Sequence, residues 1–218
     1  TVLKSLGGWG ESFPFSVRVS DDDADSVTVR LYGKMTTQSA WTLYNSTTVS
    51  SPSNQLVNLS ITAGAFSCSD IGSWNFQFFA LDDRGYTYNS STGNFTQEAD
   101  DVNVSLGTGD SSTVLRNGST STLLSLLIYD TDKSENPGLG WNGTVWVTTN
   151  TTAYDGGTSV STNTSGYLNF NFDPSCSYIA NAQKWKGGTT SNTCYKNANS
   201  SNFTVNLNAP LYPFVNYP

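Results

Sequence analysis

Four aspartates crowd into five positions near the start of the chain, and they are the first residues whose type and spacing suggest chemistry. They are Asp21, Asp22, Asp23 and Asp25. Calcium takes six to eight oxygen ligands, and carboxylates are among those it prefers. We therefore consider a calcium site at Asp21, Asp23 and Asp25. The 12-residue EF-hand spacing is absent, so a solvated turn rich in Asp is the simpler interpretation.

The usual constellations of catalytic residues are missing from the sequence. The chain has no His, so a Ser or Cys nucleophile would lack its commonest activating base. There is no glycine-rich phosphate loop, and no two carboxylates stand out as the pair that a glycosidase needs. We expect a protein that is not an enzyme and that needs no cofactor apart from the calcium considered above.

Sequons for N-glycosylation are the most abundant chemical motif. Asn-x-Ser/Thr with x other than Pro occurs eleven times, more often than the Ser and Thr content predicts by chance. Many of these asparagines fall at predicted turns or outward strand positions, where a glycan would stand in solvent. We prefer Asn45, Asn89, Asn142 and Asn150 as acceptors, and regard Asn94 and Asn202 as more covered. The candidate acceptors are Asn45, Asn58, Asn89, Asn94, Asn103, Asn117, Asn142, Asn150, Asn163, Asn199 and Asn202.

Three cysteines are present without the spacing or the imidazoles of a zinc site. Cys176 and Cys194 flank one loop rich in Lys, Gly and Thr, and we predict a disulfide between them. Cys68 is then left over. It is a buried thiol, a bond to another copy or a bond to a part of the protein outside this sequence, and the residues do not decide among the three.

The elements that position these residues have the periodicity of β-strands. In the segment 13–32, Val17, Val19, Val27 and Val29 alternate with polar residues on either side of the aspartates, which predicts a hairpin with an acidic turn. The segment 74–80 alternates aromatic residues and predicts a central strand with Trp74, Phe76 and Phe78 facing inward.

A looser copy of this pattern follows about a hundred residues later, with Leu124, Leu126 and Ile128 in its first strand. The whole chain of 218 residues is long for one sandwich and natural for two. We predict an all-β fold of two tandem immunoglobulin-like β-sandwiches, with domains at 1–107 and 108–218 and a linker at 106–112.

Composition excludes some partners. The formal net charge is −7 and the few Lys and Arg are scattered, which argues against nucleic acid. No run of about 18 apolar residues is present, so we predict no membrane span in this chain. No signal peptide is visible, and we expect Thr1 to be a mature or trimmed start.

Several longer motifs resemble those of archaeal cell-surface glycoproteins built of immunoglobulin-like repeats, of the surface-layer, sheath or extracellular-filament type. In the first half the resemblance is carried by 7–13 (GGWGESF), 41–47 (WTLYNST) and 72–83 (GSWNFQFFALDD). In the second half it is carried by 129–132 (YDTD), 173–178 (DPSCSY) and 199–204 (NSSNFT). The resemblance implies a structural role outside the cell and names no ligand.

Two function classes remain. The first is a structural subunit that self-associates into a homopolymer, for which the apolar, proline-containing segment 209–218 could be an arm that adds a strand to the next copy. That segment could equally be a linker or a lid, since proline suits connectors. The second is an adhesin or a carbohydrate- or protein-binding module, in which Trp9, Trp141 and Trp185 in predicted loops would contact the ligand.

Overall fold

The computed structural model describes residues 1–190 and 192–209 of the chain, and its regular structure there consists of strands and one 3-10 turn, Cys68–Asp70. The chain divides into two compact units, Thr1–Asp100 and Asp101–Pro218. Each unit is an immunoglobulin-like sandwich made of two β-sheets. The predicted all-β fold of two tandem sandwiches is therefore confirmed.

The first unit contains eight strands in two sheets. The larger sheet has the order β1-β8-β6-β3-β4, with β7 also pairing with β6, and the smaller sheet consists of β2 and β5. The strands are β1 (Leu6–Gly8), β2 (Phe13–Val19), β3 (Ser26–Met35), β4 (Thr42–Ser50), β5 (Gln55–Ile61), β6 (Gly72–Asp82), β7 (Thr87–Asn89) and β8 (Gly93–Glu98).

Aromatic side chains fill the space between these sheets. Trp74, Phe76 and Phe78 of β6 are buried as predicted, and β6 lies between β3 and β8. Phe13 and Phe15 from the opposite sheet meet the ring of Phe95, at centroid distances of 4.9 Å and 5.5 Å. Burial of large aromatic surfaces is a major source of folding free energy, and edge-to-face contacts add to it.

The predicted hairpin at 13–32 is wrong in its pairing. β2 and β3 are strands, and the acidic segment between them is a loop. However, β2 pairs with β5, whereas β3 pairs with β4 and β6. The aspartates thus lie in a connection between the two sheets. Alternation shows which face of a strand is buried, but two strands with the same alternation can join either sheet.

The second unit repeats this architecture with nine strands. One sheet has the order β10-β17-β15-β12-β13, with β16 also pairing with β15, and the other has the order β14-β11-β9. The strands are β9 (Val102–Thr108), β10 (Ser112–Leu115), β11 (Thr122–Asp130), β12 (Asn142–Val147), β13 (Thr158–Ser161), β14 (Tyr167–Phe172), β15 (Ala182–Thr189), β16 (Ala198–Asn199) and β17 (Phe203–Asn208).

The two units share an unusual pairing. In each unit a short strand pairs in parallel with the last strand of that unit. β1 pairs with β8, and β10 pairs with β17. In the second unit, β11 and β12 belong to different sheets, as β2 and β3 do in the first. The sequence repeat thus corresponds to a repeated topology.

The division between the units differs from the predicted one. The predicted domains met at 107 and 108, whereas the compact units meet at Asp100 and Asp101. The predicted linker includes the end of β9, which pairs with β11, and the following turn with Gly109 at a φ of 104°. Gly and Ser there serve a bulged strand and a tight turn, which composition alone does not distinguish from a linker.

Among the described residues, no helix is long and apolar enough to cross a membrane. The predicted C-terminal arm at 209–218 lies outside the described residues, except for Ala209.

Candidate functional site

An apolar groove opens between the two sheets of the first unit. Its cavity of about 360 Å³ is lined by side chains from β2, β3, β6 and β7, a volume within the range of ligand pockets. The floor is made of core residues, among them Val19, Val27 and Phe78. Arg18, Asp21 and the segment 86–90 contribute the polar part of the lining. The groove, with its apolar floor and polar rim, therefore suits an extended apolar segment.

Two strand edges without a described partner border this groove. Thr1 and Leu3 hydrogen-bond to Ser16 and Pro14 along the outer edge of β2. Backbone groups alternate in direction along a strand, so Arg18 carries the next outward N–H and C=O. No described residue pairs with that edge at 17–19, or with the outer edge of β7. Unpaired edges of this kind are templates for an additional strand.

The second unit covers the corresponding edge with its own chain. β9 runs antiparallel to β11, and Val102, Asn103 and Val104 pair with its final residues, 128–130. Val104 is buried in the core and Val102 packs against it. In the first unit the matching stretch of β2 has no such neighbour among the described residues. Among the described residues, the two units therefore differ in how much of this edge a neighbouring segment covers.

A tight turn fixes β7 beside the groove. The Oδ1 atom of Asp82 accepts hydrogen bonds from the backbone N–H groups of Arg84 and Tyr86, at 2.9 Å and 2.8 Å. Gly85 has a φ of 92°, which an L-residue adopts only with strain. Beyond this turn Tyr86 and Tyr88 project into solvent with 71% and 74% of their surfaces exposed. The aromatic rings are therefore available at the rim.

The aspartates of the acidic loop, the residues of the predicted calcium site, contact Arg84 and their own backbone. Arg84 forms ion pairs with Asp23 at 3.1 Å and with Asp25 at 2.8 Å. Asp21 accepts a hydrogen bond from the N–H of Asp25 at 2.9 Å. No three Asp, Glu, Cys or His side chains of the described residues converge on a metal position. The guanidinium of Arg84, 61 residues from Asp23, thus balances part of the loop's charge, and calcium binding there stays a prediction.

The predicted disulfide between Cys176 and Cys194 is wrong. Cys176 is a free, exposed thiol whose Sγ lies 3.9 Å from the carbonyl oxygen of Arg116. Cys68 and Cys194 are each disulfide-bonded. The eight-residue strand β15 lies between Cys176 and Cys194 and spans roughly 26 Å at about 3.3 Å per residue. A short sequence separation therefore does not by itself predict a disulfide, because an extended strand can lie between the two cysteines.

The predicted glycan acceptors differ in their surroundings. Asn45 and Asn163 are half-buried, and the other nine are exposed, including Asn94 and Asn202. The Nδ2 atom of Asn45, the atom to which a glycan would attach, donates a hydrogen bond to the carbonyl oxygen of Ser60 at 2.8 Å. By contrast, Asn150 uses only its Oδ1, which accepts a hydrogen bond from the N–H of Ala153 at 2.8 Å. Glycosylation itself stays a prediction, with Asn150 better placed than Asn45.

The three loop tryptophans are not a ligand platform. Trp185 lies in β15 and is fully buried, with its ring 5.0 Å from that of Phe203. Trp141 packs against Tyr195 and the core of its unit, and Trp9 packs against the core of the first unit. The Lys and Gly residues around Trp185 had predicted a loop, whereas the pairing of β15 with β12 and β17 makes it a central strand.

One buried carboxyl in the second unit has an altered pKa. Asp130, at the end of β11, is fully buried. Its Oδ1 accepts hydrogen bonds from the N–H groups of Asp132 and Lys133, both at 3.0 Å, while its Oδ2 has no partner. Burial raises the pKa of Asp130, and hydrogen bonds and the charge of Lys133 only partly oppose that effect. The carboxyl thus helps to shape the turn after β11.

Comparisons with known proteins find similar folds. No protein-family model matches the chain, and no curated protein does. Among solved structures, the fibronectin(III)-like modules of CbhA from Clostridium thermocellum are 13% identical, with a TM-score of 0.34 and coverage of 100% of this chain and 99% of that one. A tetra-tandem repeat from the extending region of a large adhesion protein is 12% identical, with a TM-score of 0.41 and coverage of 94% and 48%.

Invasin, a bacterial integrin-binding protein, is 12% identical with a TM-score of 0.44, and the match covers 96% of this chain and 39% of invasin. The chain is thus similar in structure to bacterial tandem immunoglobulin-like and fibronectin(III)-like modules, including those of adhesion proteins. At these identities the likeness concerns the fold alone. The resemblance to archaeal surface glycoproteins stays an expectation.

Proposed function

We propose that this chain is a structural subunit of an extracellular assembly, and that copies join when an extended segment of one copy enters the groove of the next. The observation that carries the proposal is the apolar groove beside β2, whose floor is formed by Val19, Val27 and Phe78 and whose bordering edge at 17–19 has no described partner. Strand addition supplies main-chain hydrogen bonds, and pockets for alternate side chains supply specificity.

The segment 210–218 is the best candidate for the added strand. If this segment is extended, Leu211 and Val215 would lie on one of its faces and Tyr212 and Phe214 on the other. Either face would bring apolar side chains to the valines and Phe78 of the groove. Pro213 lacks an N–H, which an edge strand tolerates because alternate N–H groups point away from the partner.

The compartment fits this proposal. Cys68 and Cys194 are disulfide-bonded, and stable disulfides are typical of proteins that fold in oxidising surroundings outside the cytosol. Nine exposed sequon asparagines would carry glycans into solvent at the surface of such an assembly. Both statements about glycans and location are part of the proposal.

Deletion of residues 211–218 tests the exchange. We expect the full chain to form oligomers whose mass, measured by light scattering after size exclusion, increases with concentration, and we expect the deletion variant to be a folded monomer. A fluorescent peptide with the sequence of residues 209–218 should then bind the deletion variant, and a scrambled peptide should not.

Two results would overturn the proposal. Oligomers of unchanged mass after the deletion would show that another surface holds the copies together. Equal binding of the ordered and scrambled peptides would show that the groove has no preference for this segment. Far-ultraviolet circular dichroism of the deletion variant checks that both sandwiches are intact.

A second candidate function is an adhesive module that binds a strand of a different protein. The exposed rings of Tyr86 and Tyr88 at the groove rim favour it, because tyrosine is enriched where proteins bind partners. The replacement of both residues by Ser separates the candidates. Loss of binding to a foreign surface protein, with self-association unchanged, would favour the adhesive module.

A further inference from the structure

A concave pocket on the outer face of the second unit combines aromatic rings, amides, hydroxyls and one cation. The cavity measures about 430 Å³. Its lining includes Trp146 from β12, Lys186 from β15, Tyr154, Thr190, Asn197 and Asn199. All of these belong to the second unit, so the pocket is separate from the groove of the first.

The strands of the sheet place the aromatic and cationic groups together. Trp146 and Lys186 are direct partners across β12 and β15, so their side chains emerge on the same face. Tyr154 is held beside them by a β-bridge to Thr148 and by its hydroxyl, which donates to Oδ1 of Asn202 at 2.6 Å. The Lys186 ammonium lies 4.8 Å from the centroid of Tyr154 and 5.8 Å from that of Trp146.

A close approach between the backbones of β15 and β16 brings the Asn199 amide to the pocket. Asn199 pairs with Gly188 on the edge of β15. A Cβ on Gly188 would collide with the carbonyl oxygen of Ala198 and with the side chain of Asn199. Only glycine therefore lets β16 lie this close and bring Asn199 to the pocket. The neighbouring carboxylate of Asp155 is already used, since its Oδ2 accepts a hydrogen bond from the hydroxyl of Tyr178 at 2.7 Å.

Lys186 thus has no ion-pair partner among the described residues. Its charge is positioned by two rings. The other polar groups that line the pocket are amides, hydroxyls and the carboxylate of Asp155, whose oxygens already accept hydrogen bonds from Val147, Gly157 and Tyr178. This set matches an acidic sugar. The apolar face of a pyranose ring packs on an aromatic ring, its hydroxyls bond to amides, and its carboxylate or sulfate pairs with an ammonium.

We propose that this pocket binds a saccharide that carries a carboxylate or sulfate group. Two sources supply this chemistry. One is an N-glycan of the same molecule, attached at Asn199, which lines the pocket and belongs to a sequon. The other is a polysaccharide or glycan of another molecule. Both use the same contacts with Trp146, Lys186 and the asparagines.

Titration of unglycosylated full-length protein with tetragalacturonate, followed by tryptophan fluorescence and calorimetry, tests the proposal. We expect saturable binding that cellotetraose, a neutral tetrasaccharide, reproduces only weakly. Lys186→Gln should weaken binding about tenfold or more, because a hydrogen bond to a charged group contributes about 1.5–3 kcal/mol. Trp146→Ala should weaken it further. Lys184→Gln is the matched control, since Lys184 lies two residues away on the same strand face and does not line the pocket.

The absence of saturable binding to the unglycosylated wild-type protein would overturn the proposal. Equal weakening by Lys184→Gln and Lys186→Gln would also overturn it, because only a diffuse charge effect would remain. Protein from a glycosylating host distinguishes the sources. If its own glycan fills the pocket, glycosylated wild type fails to bind tetragalacturonate, and Ser201→Ala, which removes the sequon and leaves the lining residues unchanged, restores binding. If the sugar comes from another molecule, both forms bind. Either result supports the shared chemistry.

Discussion

At the residue scale, Asp130 illustrates how a carboxyl can shape a turn and still weaken the fold. One of its oxygens caps two backbone N–H groups, and the other is buried without a partner. Because burial raises its pKa, the folded state disfavours the ionised form. The resulting destabilisation is fully present above the folded-state pKa, and it disappears as the pH falls below the ordinary carboxyl value of about 3.9.

Asp130→Asn should therefore raise the melting temperature at pH 7. The amide oxygen keeps the two backbone hydrogen bonds, and the buried charge is gone. The difference between variant and wild type should shrink toward zero below about pH 4, where the wild-type carboxyl is also neutral. Paired thermal melts from pH 3 to pH 7 measure it. A variant less stable than wild type at pH 7 would show that the negative charge is favourable at this site.

Thiol labelling checks the corrected cysteine assignment. Native protein treated with iodoacetamide should be modified at Cys176 alone, because that thiol is exposed and free. Cys68 and Cys194 should react only after reduction and unfolding. Peptide mapping gives the answer, and modification of native Cys194 would contradict the assignment.

Peptide mapping of protein from its native source also ranks the sequons. We expect glycan at Asn150, whose Nδ2 makes no hydrogen bond among the described residues, and little at Asn45, whose Nδ2 is bonded to Ser60. Occupancy at Asn45 that equals or exceeds that at Asn150 would contradict this ranking. The sequence favoured both Asn45 and Asn150 as acceptors, and only the bond from Asn45 on β4 to the Ser60 carbonyl on β5, in the opposite sheet, distinguishes these two.

At the element scale, the apolar periodicity predicted correctly which face of a strand is buried, but it did not predict which strands pair with each other. The alternation in β6 correctly placed Trp74, Phe76 and Phe78 in the core, because a strand buries every second side chain. The same kind of alternation in β2 and β3 predicted a hairpin that does not form. The register of a strand and the strand with which it pairs depend on contacts between residues that are remote in sequence. The groove beside β2 could therefore not be predicted from the residues of β2.

Gly157 tests how the turn after β12 positions Trp146. Its φ of 78° disfavours any side chain, and a Cβ there would lie 2.5 Å from Nε1 of Trp146. Gly157→Ala should destabilise the second unit by about 1–3 kcal/mol in denaturant unfolding. Gly156→Ala is the matched control, since no heavy atom lies within 4 Å of its added Cβ. Equal stability of both variants would show that the turn adapts freely.

At the scale of the whole chain, one topology occurs twice, and the two copies differ in the described neighbours of β2 and β11. The second unit closes its edge with β9, and the first leaves the matching edge of β2 open among the described residues. Two tandem sandwiches were predictable, because the apolar pattern recurs after about a hundred residues. The groove beside β2 was not, since it depends on which strands pair, and those contacts are remote in sequence.

Photo-crosslinking from the groove rim tests strand addition most directly. In this experiment p-benzoylphenylalanine replaces Tyr88, which is 74% exposed. Isotope-labelled and unlabelled copies are then mixed before irradiation, so that crosslinks between different copies can be recognised. We predict crosslinks from this position to residues 210–218 of a different copy, located by mass spectrometry. The same replacement at Leu139, also exposed at 72%, should give none to that segment. Crosslinks from position 88 that never reach 210–218 of another copy would contradict the proposed assembly.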